Sequence, residues 1–175
     1  NAAYRALSLK GTRGDWAAVL DGCDRWLIPV AREVLRDEHL LAVSMHVRAN
    51  ALSFRGEIAE ALRIDREQLM VFERLGDART AAEVRGNIAG HLGQQGDWKE
   101  ALRLRLEGEL PVYERLGLGD EAAITHVNVG YLLSTLGRHV EAFAHLERAR
   151  HWFDLQGSVG EQVEVRMGIS RECQI

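Results

Sequence analysis

The sequence predicts an all-α fold, a solenoid of antiparallel helix pairs stacked in series, and three observations lead to it. First, a glycine-led heptapeptide recurs, as GDWAAVL at 14–20, GEIAEAL at 56–62, GDWKEAL at 96–102 and GRHVEAF at 137–143. The leading glycines, Gly14, Gly56, Gly96 and Gly137, keep a near-constant interval. Second, other landmarks keep the same register. FERLGD at 72–77 returns as YERLGL at 113–118 and loosely as WFDLQG at 152–157, and Asn87 and Asn128 each stand nine residues before their glycine. Third, only 2 prolines occur in 175 residues, and Ala, Leu, Glu and Arg abound, as in mostly helical chains. A lone helical hairpin cannot bury its apolar stripe, so a repeat of this period implies stacked neighbours.

The elements follow in order. Residues 3–13 offer a short helix before Gly14, and the next helix carries Cys23 beside Leu20 and Leu27, the setting of a buried, inert thiol. The pattern is fullest in the third unit. Ala81, Val84, Ile88 and Leu92 share one face of a helix over 81–95. Gly96 ends it in a left-handed turn, and Asp97 caps the next helix. That helix places Ala101, Leu104, Leu110 and Tyr113 on its apolar stripe and stops at Gly117. The fourth unit repeats the scheme over 122–136 and 138–155. Residues 158–172 read as the first helix of a fifth unit, leaving Val163, Val165, Met167 and Ile169 short of cover. The whole chain, 1–175, reads as one array with units at roughly 3–37, 38–77, 78–118 and 119–157 and a partial one at 158–175. Asn1 and Ala2 read as the remnant of tag cleavage, and the chain as a piece of a longer protein.

Pro29 and Pro111 hold the same place relative to Gly14 and Gly96, inside a second helix, where the other units have Val71 and Trp152. Proline removes a helical hydrogen bond and clashes with the preceding turn. The glycine-to-glycine interval is also longer across each of these proline helices than across the unit between them. Each is expected to carry a kink or π-bulge that absorbs the extra length; the alternative is a proline tolerated in an otherwise regular helix.

These residues carry a resemblance. A small residue, a large apolar residue and a glycine on the first helix, followed by aromatic-x-Glu-Ala-Leu, resemble the tetratricopeptide repeat (TPR). The matching positions are Ala89, Leu92, Gly96, Trp98, Ala101 and Leu102, then Gly130, Leu133, Gly137, Val140, Ala142 and Phe143. The usual repeat has about 34 residues. The longer units here are similar to the variety in kinesin light chains, Rap-type bacterial regulators and the sensor arms of signalling ATPases. The resemblance implies an α-α superhelix of about four repeats plus an incomplete C-terminal helix. It also implies a concave groove, lined by the first helix of each pair, that receives a peptide. The implied lining is His46, Asn50 and Phe54 in the second unit, Glu83, Asn87, Gly90 and Gln94 in the third, and Asn128, Tyr131 and Thr135 in the fourth. Asparagine amides both donate and accept, which suits a peptide backbone.

Other chemistries find little support. Gly90, Gly93 and Gly96 are dense enough to suggest a phosphate cradle, yet no GxxxxGK[ST] string occurs and no strand precedes them. The seven histidines show no HExxH and no i, i+4 pair, so they read as packing or surface residues rather than metal ligands. There is no GxSxG elbow and no placeable Cys–His arrangement. Trp16 and Trp98 hold equivalent positions and read as hairpin packing, while LRLRLEGE at 102–109 reads as a solvated face. The positions that hold lysine and arginine in chaperone-tail TPR adaptors are here His46, Glu83, Gly86 and Val127, which argues against that role. A net charge of −4 without a basic run argues against nucleic acid. No apolar run approaches the about 18 residues of a membrane span. Two cysteines without a CxxC suit a reducing compartment. The expectation is therefore a cytoplasmic, non-catalytic module without cofactor or metal that binds a protein or peptide. The alternative is the sensor or self-association arm of a larger bacterial regulator or signalling ATPase, with self-association through the terminal repeats.

Overall fold

The computed structural model describes residues 14–157. The expected short helix at 3–13 and the partial fifth unit lie outside the described residues. The chain divides into two compact units, Asn1–Val84 and Arg85–Ile175. Among the described residues all regular structure is helical.

In the first unit, α1 (Trp16–Gly22) runs on through π-helical turns at Cys23–Leu27 and Val30–Leu35. It is followed by α2 (Glu38–Phe54) and α3 (Ile58–Leu75). Asp15 and Asp37 start α1 and α2 by accepting the Ala18 and Leu40 amides at 3.1 and 2.9 Å, which satisfies N–H groups that the helix itself leaves unpaired. Val19, Cys23, Leu27, Leu52 and Ile64 form the core, with Trp16 and Met45 packed on it. Cys23 is fully buried, and burial pushes its thiol up to about 11, so it is inert as expected.

The next helix, α4 (Ala78–Gln94), bridges the boundary in sequence. The second unit then continues with α5 (Trp98–Arg103), a π-helical turn at Leu104–Glu109, and α6 (Leu110–Leu116). After these come α7 (Gly119–Thr135) and α8 (His139–Gln156). Asp97 caps α5 through the Glu100 amide, and Gly96 takes φ +88° just before it, as the sequence pattern requires. One core cluster joins Leu102, Val129, Leu133 and Ala142; another joins Ala123, Leu146, Ala149 and Phe153. Gly130 lets α7 and α8 close together, since a Cβ there would lie 2.7 Å from Leu146 Cγ.

Both proline helices carry π-turns, whereas α3 and α8, at the equivalent positions, are unbroken α-helices of 18 residues. The Leu110 amide reaches back five residues to the Arg105 carbonyl, and Ile28 does the same to Cys23. Pro111 then begins α6, where its missing N–H is tolerated. One reading of LRLRLEGE is overturned. Leu102 is buried on α5 before the turn, and Glu109, the last residue of the widened turn, is buried as well.

Candidate functional site

Two groups of the sequence-derived candidates come together, one in each unit. In the first unit, α2 places His46 and Asn50 one turn apart, with Asn50 Nδ2 3.4 Å from His46 Nε2. His46 Nδ1 lies 2.9 Å from Asp65 Oδ1 on α3, and its Nε2 lies 3.8 Å from Glu83 Oε1 at the start of α4. The imidazole is 6% exposed and Asp65 is fully buried. Burial opposes protonation of His46, but the Asp65 and Glu83 carboxylates outweigh it and raise the ring to about 9. In return, His46 holds Glu83 below the usual carboxylate range. The ring is thus an imidazolium clamped between acids. Phe54 is exposed at the end of α2 and stacks on Trp16, ring centroids 4.0 Å apart and 3° from parallel.

In the second unit, Gly90, Gln94, Asn128, Tyr131 and Thr135 line one depression of about 300 Å³, with Gly93, Trp98 and Arg105. The glycines leave this space open. A Cβ on Gly90 would meet nothing nearer than Arg105 Nη2 at 4.0 Å, and one on Gly93 nothing nearer than Leu132 Cδ2 at 3.9 Å. Trp98 is held by its indole N–H, which donates to the Gly93 carbonyl at 3.1 Å. The Thr135 hydroxyl donates to the Tyr131 carbonyl at 2.9 Å. Asn87, half-buried on α4, is outside this lining.

Arg105 and Trp98 are site residues that sequence reasoning missed. Arg105 lies in the π-turn, and its Nη1 donates to Glu109 Oε2 at 2.7 Å. Glu109 Oε1 lies 3.1 Å from the Thr125 hydroxyl. Burial pushes the Glu109 carboxyl up against the opposing pull of Arg105 and Thr125. Gly86 makes this arrangement possible, because a Cβ there would sit 2.5 Å from Glu109 Oε1. Arg105 thus brings a guanidinium to the lining of the depression from a second helix rather than a first. Regular helical spacing gave no signal for it, since Arg105 lies within the π-turn.

A further pair brings His126 Nδ1 within 2.9 Å of His145 Nδ1. Burial, His145 and Arg148 lower His126 to about 4; burial and Arg148 also lower His145. Among the described residues no group of three or more His, Cys, Asp or Glu side chains converges as a metal would need.

No family model matches the chain, and no curated protein matches it. Solved structures do. The apo form of RapI superposes with a TM-score of 0.84 at 16% identity over 97% of this chain and 61% of its own. A kinesin light chain-like protein of Podosopora anserina with nearly identical TPR-like repeats gives 0.77 at 15% identity, over 99% of this chain and 84% of its own. A signal transduction ATPase with numerous domains from Pyrococcus horikoshii, which carries a tetratricopeptide repeat sensor, gives 0.77 at 14% identity over 98% and 26%. The chain thus spans less than two thirds of RapI and about a quarter of the ATPase. At these identities the likeness speaks for architecture: the fold of this chain is that of the TPR-like helical repeat proteins.

Proposed function

We propose that the chain is a non-catalytic scaffold module that binds a protein or peptide, and that the depression beside Gly90 and Gly93 receives the partner's main chain. The observation that carries this is the open space over two helical glycines, bordered by the amides of Gln94 and Asn128 and the guanidinium of Arg105. A peptide backbone presents alternating donors and acceptors, which a carboxamide can match on both counts. Tyr131 adds an aromatic wall of low conformational entropy. In the first unit the same reading gives Asn50 and Glu83 as contacts and His46 as the residue that holds them. Phe54 offers an apolar surface there. Asn87 is assigned to the same role on α4. The partners are protein or peptide, without nucleic acid, membrane or cofactor, in the cytoplasm. Among the described residues no helix is long and apolar enough to cross a membrane.

Selection from a displayed random-peptide library supplies ligands for the test. Asn128→Ala and Gly90→Leu should each weaken a selected peptide by about tenfold or more, the loss of one or two good contacts. Unchanged affinity in both variants rejects the site. The Pyrococcus horikoshii likeness favours a second reading, in which the array is the sensor or self-association arm of a larger regulator or signalling ATPase. A strictly monomeric sedimentation profile at high concentration would count against self-association through the terminal repeats.

A further inference from the structure

A second cavity in the Arg85–Ile175 unit, of about 600 Å³, shares no residue with the proposed peptide site. Its walls are largely apolar: Tyr113, Leu118, Ala122, Ala123 and Trp152. Trp152 is fixed in place. Its indole N–H donates to Asp120 Oδ1 at 2.8 Å, and its six-membered ring sits over Gly119, where a Cβ would collide with Cη2. The volume falls within the about 300–1,000 Å³ typical of small-molecule pockets.

The cavity also contains a cation without a counterion. Arg148 lines it and makes no hydrogen bond or ion pair with any described residue. Other arginines on or beside α8 are engaged: Arg138 with Glu141, and Arg150 with Glu147 and Asp154. The Arg148 charge is felt inside the unit, where it disfavours protonation of both His126 and His145. His126 lines the same cavity. An anion placed there would meet a guanidinium donor fork with no competing carboxylate in contact, the arrangement in which charge-assisted bonds count most. Glu114, also on the lining, disfavours a second negative charge on the same ligand.

We infer that this cavity binds a small amphipathic monocarboxylate, with its apolar body against Trp152, Ala122 and Ala123 and its carboxylate on Arg148. The matched probes are 4-phenylbutyrate and 4-phenylbutan-1-ol, which share a body and differ in charge. They are titrated calorimetrically into the full chain. The carboxylate should bind about tenfold or more tightly than the alcohol. Arg148→Met, at an exposed position, should abolish that advantage while leaving the alcohol's affinity unchanged. Ala122→Leu, which fills the cavity, should weaken both. No binding of 4-phenylbutyrate up to roughly 5 mM, equal affinity for the two probes, or an Arg148→Met chain that keeps its preference overturns the inference.

Discussion

The same link between two paired helices is built twice with opposite chemistry. In the first unit His46 of α2 faces Asp65 of α3; in the second His126 of α7 faces His145 of α8. Both pairs span the same sequence interval and both close to 2.9 Å. Yet the first ring is raised to about 9 and the second lowered to about 4. The two pairs share a separation of 19 residues, with the histidine pair one residue earlier in its unit; the partner and its neighbours decide whether the contact is ionic or neutral. In the next repeat Gly86 and Arg105 stand where His46 and Asp65 stand, and there a third solution appears, with Glu109 filling the space that Gly86 leaves.

The contrast breaks most sharply at Asp65. Removing the carboxylate by Asp65→Ala leaves a buried imidazole without its main counterion, an error that costs about 3–5 kcal/mol. Urea denaturation measures it. Asp65→Asn should also bring the His46 titration well below 9 by NMR, while His126 stays where it is.

The pH dependences of the two pairs should run in opposite directions. His46 binds its proton more tightly folded than unfolded, so its stabilisation is present below about 6.5 and disappears as pH rises through about 9. Over that window the first unit should lose up to about 3 kcal/mol. His126 is held neutral in the fold. Its contribution is present above about 6.5 and is lost as pH falls through about 4. Residue-resolved amide exchange, which tracks each unit separately, should show the first weakening in alkali and the second in acid. Parallel behaviour of the two units would show that the shared geometry dominates after all.

Gly86→Ala sharpens the middle case. A methyl group there meets Glu109 Oε1 and should cost about 1–3 kcal/mol by overpacking. The same change at Gly90 faces open space, and at a helical position it should be neutral to stabilising by up to about 1 kcal/mol. Chemical denaturation of the two variants distinguishes the filled site from the open one. If both variants behave alike, Gly90 does not border empty space.

The smallest effect concerns helix ends. Gly76, Gly117 and Gly157 close α3, α6 and α8 at positive φ, whereas the first proline helix ends on Arg36 at φ 50°. Arg36→Gly should raise stability by about 1 kcal/mol, the usual cost of a left-handed side-chain residue. Thermal or urea unfolding of the variant beside the parent chain measures it.

Much of this was legible from the sequence. The period, the capping by Asp97, the stop at Gly96 and the irregular turns beside Pro29 and Pro111 all follow from local rules of backbone geometry. Of the expected groove residues, Gly90, Gln94, Asn128, Tyr131 and Thr135 share one depression, because they fall on facing stretches of α4 and α7. What escaped depends on rotation. Arg105 and Glu109 sit in and at the end of a π-turn, where regular helical spacing no longer says which way a residue faces. A solvated-face reading of LRLRLEGE fails for that reason. His46 was expected on the groove lining and instead lies buried against Asp65; that ion pair was not legible, since Asp65 is distant in sequence.

The π-turns have a consequence for how such an array varies in length. Inserting one residue into an α-helix would swing everything downstream by about 100° and turn the apolar stripe away from its neighbour. At Leu104–Glu109 the widened turn takes up the additional residue locally, and Leu110 and Tyr113 return to the core. The turn acts as a shim, so units of slightly unequal length can follow one another without a change in how each pair closes.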